Sequence, residues 1–188
     1  MIRVGLLGTG RIGRLHAKTI ASHPESSLYA VSDIDSGSAN ETAVQYGAAV
    51  KSSEEIISDP NIDAVLIATS TDTHAEFIEK ASFVGKSVFC EKPVDLSLSR
   101  AKECLNKVSV KNNPIMIGFN RRFDPNFAQL KRSLDDNEIG KSELLTITSF
   151  DPSPPPVSYV KTSGGLYRDM MIHDLSLIHI SEPTRLEP

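Results

Sequence analysis

Asp169 and His173 are two residues of this chain whose types and spacing could perform acid–base chemistry. They lie in the run 166–174, which follows a Gly-Gly pair and is predicted to begin a helix. Residues four positions apart on a helix share one face, so the two side chains come within reach of each other. An aspartate beside an imidazole fixes the tautomer of the ring and can raise its pKa towards neutrality, as a general base requires. The alternatives are an ordinary pair on a solvated helix face and a metal site formed by Asp169, His173 and Asp174.

Lys92 is a third candidate, because it directly follows an apolar run at 87–90 that is predicted to form a strand. It is the middle residue of the segment Glu91-Lys92-Pro93. A lysine at the carboxyl end of a strand, fixed by the rigid proline after it, is well placed to reach a substrate. By residue type alone, an ordinary surface lysine is the alternative interpretation.

The elements that must position these residues begin with a glycine-rich turn. The apolar run 2–7 leads directly into glycines with the spacing G-x-G-x-x-G, followed by a helix-like run. The first glycine allows a sharp turn, the second allows close approach of a pyrophosphate, and the third lets the helix pack tightly on the strand. The N–H groups of the helix N-terminus then point at the phosphates. The residues predicted to bind a dinucleotide here are Gly8, Gly10, Arg11, Ile12 and Gly13.

Asp33 favours NAD over NADP as that dinucleotide. It lies at the end of the second apolar run, 27–34, and follows Gly13 by twenty residues. A carboxylate at this point accepts hydrogen bonds from both ribose hydroxyls of an adenosine and repels a 2′-phosphate, and no arginine follows closely. The alternative is a turn or helix-cap acid, a role for which Asp35 or Ser36 is better placed.

The loop after the apolar run 63–69 is a second predicted cofactor contact. The run is continuous, as expected for a strand buried on both faces, and open parallel sheets bind ligands at the carboxyl ends of their strands. The hydroxyl groups of Thr69, Ser70 and Thr71 could therefore donate to phosphate or ribose. His74 either contacts the nicotinamide side of the cofactor or is simply a polar residue in the first turn of a helix.

The order of these elements predicts an α/β fold, a Rossmann-type doubly wound parallel sheet that closes near residue 119. A helix at 97–111 and a strand at 114–118 complete it. The pattern then changes. Asp124 and Pro125 are predicted to open a new helix, 142–150 has the alternation of a strand, and 151–156 is proline-rich. We therefore predict a cofactor domain over 1–119 and the start of a different, α+β domain over 120–174.

The length, charge and composition of the chain argue against several classes of partner. The chain has 188 residues and a formal net charge of -4, which gives no reason to expect nucleic acid or an anionic membrane as partner. No apolar run approaches the ~20 residues needed to span a bilayer. Cys90 and Cys104 have no metal-type spacing and are typical of the reduced thiols of a cytosolic protein. We expect a cytoplasmic protein whose partner is a small molecule.

Several separate motifs resemble one family. The stretches GLLGTGRIG, VSDID, ATSTDTH, CEKP, GFNRRFD and DPSPPPVSYVKTSGGLYRDMMIHD are similar to the Gfo/Idh/MocA oxidoreductases and, within them, to the members that oxidise inositol. The resemblance implies a Rossmann domain followed by an α+β domain whose open sheet covers the active site and forms a dimer or tetramer interface. It also implies that the axial hydroxyl of myo-inositol is oxidised to the 2-keto compound, scyllo-inosose, with the hydride passing to NAD.

The resemblance also implies roles for single residues. Lys92 corresponds to the lysine that hydrogen-bonds the reacting hydroxyl, His173 to the histidine that takes its proton, and Asp169 to the aspartate that orients this histidine. No metal is required for this chemistry. Glu91 and Lys92 are expected beside the cofactor, and the residues expected near the substrate are Asn120, Arg121, Asp151 and Tyr159.

The last stretch, 175–188, departs from the family pattern. Its sequence LSLIHISEPTR is similar to the translation of an adapter used in DNA sequencing libraries, so we predict a non-native tail that follows a truncated substrate domain. We expect such a chain to bind NAD weakly and to have little dehydrogenase activity. Two other functions stay open: a dehydrogenase for another cyclic polyol or an aldose, and a non-catalytic NAD-binding regulator. The joint presence of Lys92, Asp169 and His173 argues against the regulator.

Overall fold

The computed structural model describes residues 1–150, 153–155, 157 and 163–181. The chain divides into two compact units, Met1–Gly118 and a second unit that begins at Phe119. No helix in the described part of the chain is both long and apolar enough to cross a membrane.

The first unit alternates strands and helices from its first residues to its last. The strands are β1 (Ile2–Leu7), β2 (Ser26–Ser32), β3 (Ala49–Val50), β4 (Ala64–Ile67), β5 (Ser87–Cys90) and β6 (Ile115–Ile117). The helices are α1 (Arg11–Ser22), α2 (Ser36–Tyr46), α3 (Ser53–Ser58), α4 (Thr71–Phe83) and α5 (Leu98–Ser109).

The six strands form one parallel sheet in the order β3-β2-β1-β4-β5-β6. This order reverses between β1 and β4, which is the arrangement of a Rossmann fold, and it confirms the predicted α/β fold class. The central strands are apolar because helices cover both faces of the sheet. Leu6, Leu7, Val65 and Ile67 are completely buried. All five strands predicted for this unit are present. The sixth strand, β3, is not predicted from the sequence, because its two residues are too few to give a periodic signal.

Local capping explains where the helices of this unit begin. The Asp35 side chain accepts hydrogen bonds from the N–H groups of Gly37 and Ser38 at the start of α2. Ser52 and Glu55 form a capping box at the start of α3. Gly47 ends α2 in the left-handed conformation, with φ of 70°. α2 and α3 therefore start, and α2 ends, where side-chain or glycine caps satisfy the backbone groups that the helix itself cannot.

The second unit consists of short helical elements in its described residues. A 3₁₀ turn (Asn120–Phe123) precedes α6 (Pro125–Asp135), and a π turn (Tyr167–Met171) leads into α7 (Ile172–Ser181). The predicted helix start at Asp124 and Pro125 is confirmed, since the Asp124 carboxylate accepts from the N–H groups of Asn126 and Phe127. α7 continues without a break past residue 174. The non-native origin of 175–188 stays a prediction.

The strand predicted at 142–150 is wrong. These residues have irregular backbone, and no strand occurs among the described residues from 119 onwards. A strand needs a neighbour to satisfy its N–H and C=O groups, and side-chain alternation alone does not supply one. Leu144 and Phe150, which the alternation would place on an apolar face, are 87% and 89% exposed.

Candidate functional site

Two of the three glycines of the first turn are required by the packing around them. Gly8 has φ of 91°, and a Cβ at this position would lie 2.4 Å from the carbonyl oxygen of Ala68. A Cβ on Gly13 would lie 2.0 Å from the carbonyl oxygen of Gly8. Both distances are far inside van der Waals contact. The turn and the packing of α1 on it therefore exclude any side chain at these two positions.

Gly10 differs, because its missing side chain leaves a space that the protein does not fill. Apart from Gly10 itself and its two chain neighbours, no atom in the described part of the chain lies within 4 Å of a Cβ built on Gly10. Gly10 is also the N-cap of α1, which has no side-chain cap bond and no acidic residue in its first turn. The N–H groups of that turn have no acceptor within the helix. Together with the positive end of the helix dipole, they form a site suited to a phosphate group.

Asp33 lies beside this turn, at the end of β2. Its Oδ2 accepts from the backbone N–H of Thr9 at 2.5 Å and from the Thr9 hydroxyl at 3.0 Å, and its Oδ1 accepts from the N–H of Asp35 at 2.9 Å. Partial burial acts to raise the pKa of Asp33, but the hydrogen bonds from Thr9 and Asp35 outweigh it, so the pKa lies below the ordinary 3.8. The carboxylate is therefore ionised at neutral pH.

A small network that the sequence did not reveal joins the glycine turn to α2. Thr9 is completely buried, and its hydroxyl lies 2.9 Å from the Ser38 hydroxyl. The Ser38 hydroxyl also donates to the Thr9 carbonyl at 2.9 Å, and Arg14 Nε donates to the same carbonyl at 3.1 Å. Arg14 in turn forms an ion pair with Glu41 at 2.9 Å. The middle residue of G-x-G has no sequence signal of its own, because its partner Ser38 lies 29 positions away along the chain.

The loop after β4 has its own hydrogen bonds. The hydroxyl groups of Thr69 and Thr73 are 2.7 Å apart, and Thr73 donates to the Ser70 carbonyl at 2.8 Å. Ser70 is the N-cap of α4 but makes no side-chain cap bond. Because β4 neighbours β1 in the parallel sheet, the carboxyl ends of these two strands place Thr69, Ser70 and Thr71 at the edge where the glycine turn lies.

His74, in contrast, is directed into the protein. Its side chain is 2% exposed. The ring Nδ1 lies 2.7 Å from the carbonyl oxygen of Pro93, and the ring Nε2 lies 3.0 Å from the carbonyl oxygen of Thr69. The ring therefore links the end of β4 to the segment after β5.

Glu91 and Lys92 follow β5 at the same edge of the sheet. The Glu91 carboxylate accepts a hydrogen bond from His16 Nε2 at 2.7 Å. Burial acts to raise the pKa of Glu91, but the hydrogen bond from His16 outweighs it, so the pKa lies below its ordinary value. Lys92 is partly exposed and is joined to Pro93 by a cis peptide bond. The sequence motif indicated Lys92 and Glu91 but not His16, which lies 75 residues away from Glu91 along the chain.

The second unit carries the predicted acid–base pair on consecutive elements. Asp169 lies in the π turn Tyr167–Met171 and His173 is the second residue of α7, so the spacing of a single α-helix assumed from the sequence does not hold throughout. π turns occur frequently at functional sites. Both side chains are partly buried.

Arg121, Asp174 and Ser149 form a cluster in the same unit. Arg121 forms an ion pair with Asp174, and the Ser149 hydroxyl donates to the same carboxylate at 2.9 Å. Asn120 opens the 3₁₀ turn that carries Arg121. Asp174 is thus held by a cation next to His173. Asp151 and Tyr159 lie outside the described residues.

Comparison with known proteins identifies the family. Residues 2–119 match the model of an oxidoreductase family with an NAD-binding Rossmann fold, named Gfo/Idh/MocA. The chain belongs to this family. The resemblance of the motifs is thereby confirmed.

The relatives include proteins that are named for inositol. The chain is 48% identical over 176 residues to an inositol 2-dehydrogenase of Rhizobium meliloti, covering 94% of this chain and 53% of the relative. A myo-inositol dehydrogenase structure from Corynebacterium glutamicum matches at 38% identity with a TM-score of 0.91, over 96% of this chain and 55% of that one. A scyllo-inositol dehydrogenase from Lactobacillus casei, with bound NAD(H) and scyllo-inositol, matches at 30% identity with a TM-score of 0.84, over 96% and 56% of the two chains. The chain therefore spans about half the length of the relatives that it matches.

Proposed function

We propose that the protein containing this chain is an NAD-dependent dehydrogenase that oxidises one ring hydroxyl of myo-inositol, giving scyllo-inosose. The single observation that carries the proposal is the open position at Gly10, where an uncapped helix N-terminus lies beside the ionised carboxylate of Asp33. A dinucleotide needs a phosphate site and a ribose acceptor at this spacing. The family match over residues 2–119 supports the same cofactor.

The residues of the turn fit NAD better than NADP. The N–H groups at Arg11, Ile12 and Gly13 would hold the pyrophosphate, and the carboxylate of Asp33 would accept hydrogen bonds from the adenosine ribose. Oδ2 of Asp33 already accepts the N–H and the hydroxyl of Thr9, whereas Oδ1 accepts the N–H of Asp35 and keeps a lone pair for a ribose hydroxyl. The negative charge of Asp33 would repel a 2′-phosphate. We propose secondary cofactor contacts for Thr69, Ser70, Thr71 and Glu91, and for His74 a supporting role through its contacts with the carbonyl oxygens of Thr69 and Pro93.

The proposed chemistry needs one base and one cation. NAD, when bound, supplies the hydride acceptor. Lys92 hydrogen-bonds the reacting hydroxyl and stabilises the negative charge that develops on its oxygen. His173 takes the hydroxyl proton as general base, and Asp169 orients its ring. Asn120, Arg121, Asp151 and Tyr159 are proposed to lie near the substrate, although Arg121 also holds Asp174.

We also propose two functional domains along the chain. Residues 1–119 form the NAD-binding domain, and 120–174 form the start of the substrate domain. The boundary between the two compact units after Gly118 supports this division. The names of the relatives support an inositol as the substrate, and scyllo-inositol or another cyclic polyol is the competing choice. A dimer or tetramer is the proposed assembly of the whole protein.

The test compares Lys92→Met with the unaltered protein, completed with the C-terminal half of the Rhizobium meliloti relative. Initial rates of NADH formation are measured with myo-inositol, scyllo-inositol and an aldose, and NAD affinity is measured by calorimetry. We expect myo-inositol to be the best substrate. Lys92→Met should lower kcat by about a hundredfold to a thousandfold, because it removes a donor to the developing oxyanion, while the NAD Kd changes by less than about twofold.

Lys102→Met is the matched control, because Lys102 is an exposed lysine of α5. Its rates should equal those of the unaltered protein. Retained turnover in Lys92→Met would remove Lys92 from the chemistry, and NAD binding without turnover on any polyol would indicate the non-catalytic regulator instead.

A further inference from the structure

The segment Glu91-Lys92-Pro93 is contacted on both sides of Lys92 by histidines from two different helices. His16 belongs to α1 and contacts Glu91, and His74 belongs to α4 and contacts Pro93. The following inference rests on the proposed role of Lys92, because it concerns what holds that lysine in place.

The sheet itself stops holding the chain at this point. β5 ends at Cys90, and the N–H of Glu91 still donates to the carbonyl of Ile67 at 2.9 Å. From Lys92 onwards the chain leaves the sheet. A side chain that must be placed within a fraction of an ångström of a reacting atom needs support beyond the last ladder bond.

His16 provides this support before Lys92. Its Nε2 lies 2.7 Å from Glu91 Oε1, and the two side chains are 19% and 20% exposed. The ring packs edge-on against Phe89, with the centroids 5.3 Å apart, which fixes its orientation. A Cβ on Gly118 would lie 3.3 Å from Glu91 Cδ, so the absence of a side chain there leaves room for the carboxylate. Glu91 is therefore held from α1 rather than directed into solvent.

His74 provides the support after Lys92. Its ring is almost fully buried and lies between two backbone carbonyl oxygens, of Pro93 at 2.7 Å and of Thr69 at 3.0 Å. A carbonyl oxygen only accepts, and a neutral imidazole carries a single N–H, so the ring donates to one of the two oxygens; we assign the proton to Nδ1, whose contact is the shorter. The N–H at Nδ1 then holds the backbone directly after Lys92, and Nε2 lies against the end of β4.

We propose that His16 and His74 are positioning residues that hold the backbone on either side of Lys92, so that α1 and α4 together place the lysine at the edge of the sheet. The two histidines use different ring nitrogens for this task. His16 donates from Nε2 to Glu91, and His74 donates from Nδ1 to Pro93. This difference gives the proposal a signature that a general stabilising role does not have.

The test exploits the shapes of asparagine and glutamine. The amide nitrogen of asparagine occupies the place of Nδ1, and that of glutamine the place of Nε2. His16→Gln and His74→Asn should therefore keep the donor that matters, whereas His16→Asn and His74→Gln should lose it. The readout is the heteronuclear ¹H–¹⁵N NOE of the Lys92 amide in the 188-residue chain. It should fall in the two variants that lose the donor and recover in the two that keep it.

His23→Gln is the control, since His23 is an exposed histidine of the same unit that lies outside this segment. It should leave the Lys92 signal unchanged. Thermal unfolding midpoints of all variants are measured in parallel. Equal loss of order in Asn and Gln variants at each position, following only the midpoints, would overturn the proposal, as would an unchanged Lys92 signal in all four.

The NMR readout needs neither substrate nor turnover, so it is independent of the proposed dehydrogenase activity. In the completed protein used for the turnover assay, kcat should follow the same crossed pattern, with a loss of about tenfold to a hundredfold when the donor is lost. If the NMR pattern is present but kcat does not follow it, the positioning stands and the catalytic role of Lys92 is wrong.

Discussion

The two units of this chain position their candidate residues by different means. In the first unit, four candidate residues follow the carboxyl ends of four strands of one parallel sheet: Gly8, Asp33, Thr69 and Lys92. The hydrogen bonds between the strands therefore determine the position of each of these residues. In the second, Asp169 and His173 lie on a π turn and a helix, and no strand is present among the described residues there. In a parallel sheet, the order of the strands determines which residues lie side by side at the strand ends. In a turn and a helix, the positions of the side chains depend on local contacts.

The burial of apolar side chains differs in the same way. The first unit has two clusters of buried apolar residues: Leu7, Ile67 and Ile78 belong to one and Leu6 to the other, and all four are at 0% exposure. In the described part of the second unit, Leu177 is buried, while large side chains such as Leu144 and Phe150 are exposed. The first unit therefore contains the apolar contacts needed to hold its candidate residues in place.

The largest expected difference between the two units is the loss of unfolding free energy when one apolar side chain is truncated in each. Ile67→Ala should lower the free energy of unfolding by about 2–5 kcal/mol, because it leaves a cavity in the middle of the sheet. Leu144→Ala should change it by less than about 0.5 kcal/mol, since the side chain is already in solvent. Urea unfolding followed by circular dichroism measures both. Similar losses for the two variants would mean that the second unit has a core of its own that depends on Leu144.

A smaller effect concerns an ion pair of the first unit. Asp59, at the end of α3, is paired with Lys51 and also accepts from the N–H of Asn61 at 2.8 Å. The hydrogen bond from Lys51 lowers the pKa of Asp59 from 3.8 to about 2. Because the native pKa is the lower one, the stabilisation is complete above about pH 4 and is lost as the pH falls towards about 2.

Asp59→Asn should therefore lower the urea midpoint at pH 7, and its difference from the unaltered chain should shrink as the pH falls below 4. Asp136→Asn, at an exposed position after α6, is the control from the second unit and should leave the urea midpoint at pH 7 unchanged. A difference that stays constant from pH 7 to pH 3 would show that the ionisation of Asp59 contributes nothing.

Much of the first unit could be predicted from the sequence because its signals are local. The apolar runs, the spacing from Gly8 to Gly13 and the acid at position 33 each lie within a short stretch, and the Rossmann order follows from alternating strands and helices. The contacts around them could not be predicted. His16 meets Glu91 across 75 residues, and Thr9 meets Ser38 across 29, so only the folded sheet brings these side chains together.

The second unit was harder to predict for a related reason. Residues 142–150 have the alternation of a strand, but a strand depends on a neighbour that the pattern does not encode. The spacing of Asp169 and His173 indicates one α-helix, whereas a π turn holds the aspartate. The ion pair between Arg121 and Asp174 joins residues 53 positions apart and leaves no local signal.

The most direct measurement of the central claim is an NAD titration of the ¹⁵N-labelled chain and of its Gly10→Ala variant. NAD should shift the amide signals of Gly8, Gly10, Gly13 and Asp33. Gly10→Ala should weaken binding at least about tenfold, which is about 1.4 kcal/mol, because the new Cβ occupies the space left for the pyrophosphate. Its unfolding free energy should change by less than about 1 kcal/mol, since no described atom crowds that position. Unchanged NAD affinity in Gly10→Ala, or shifts confined to residues away from this turn, would contradict the assignment of the turn as the cofactor site.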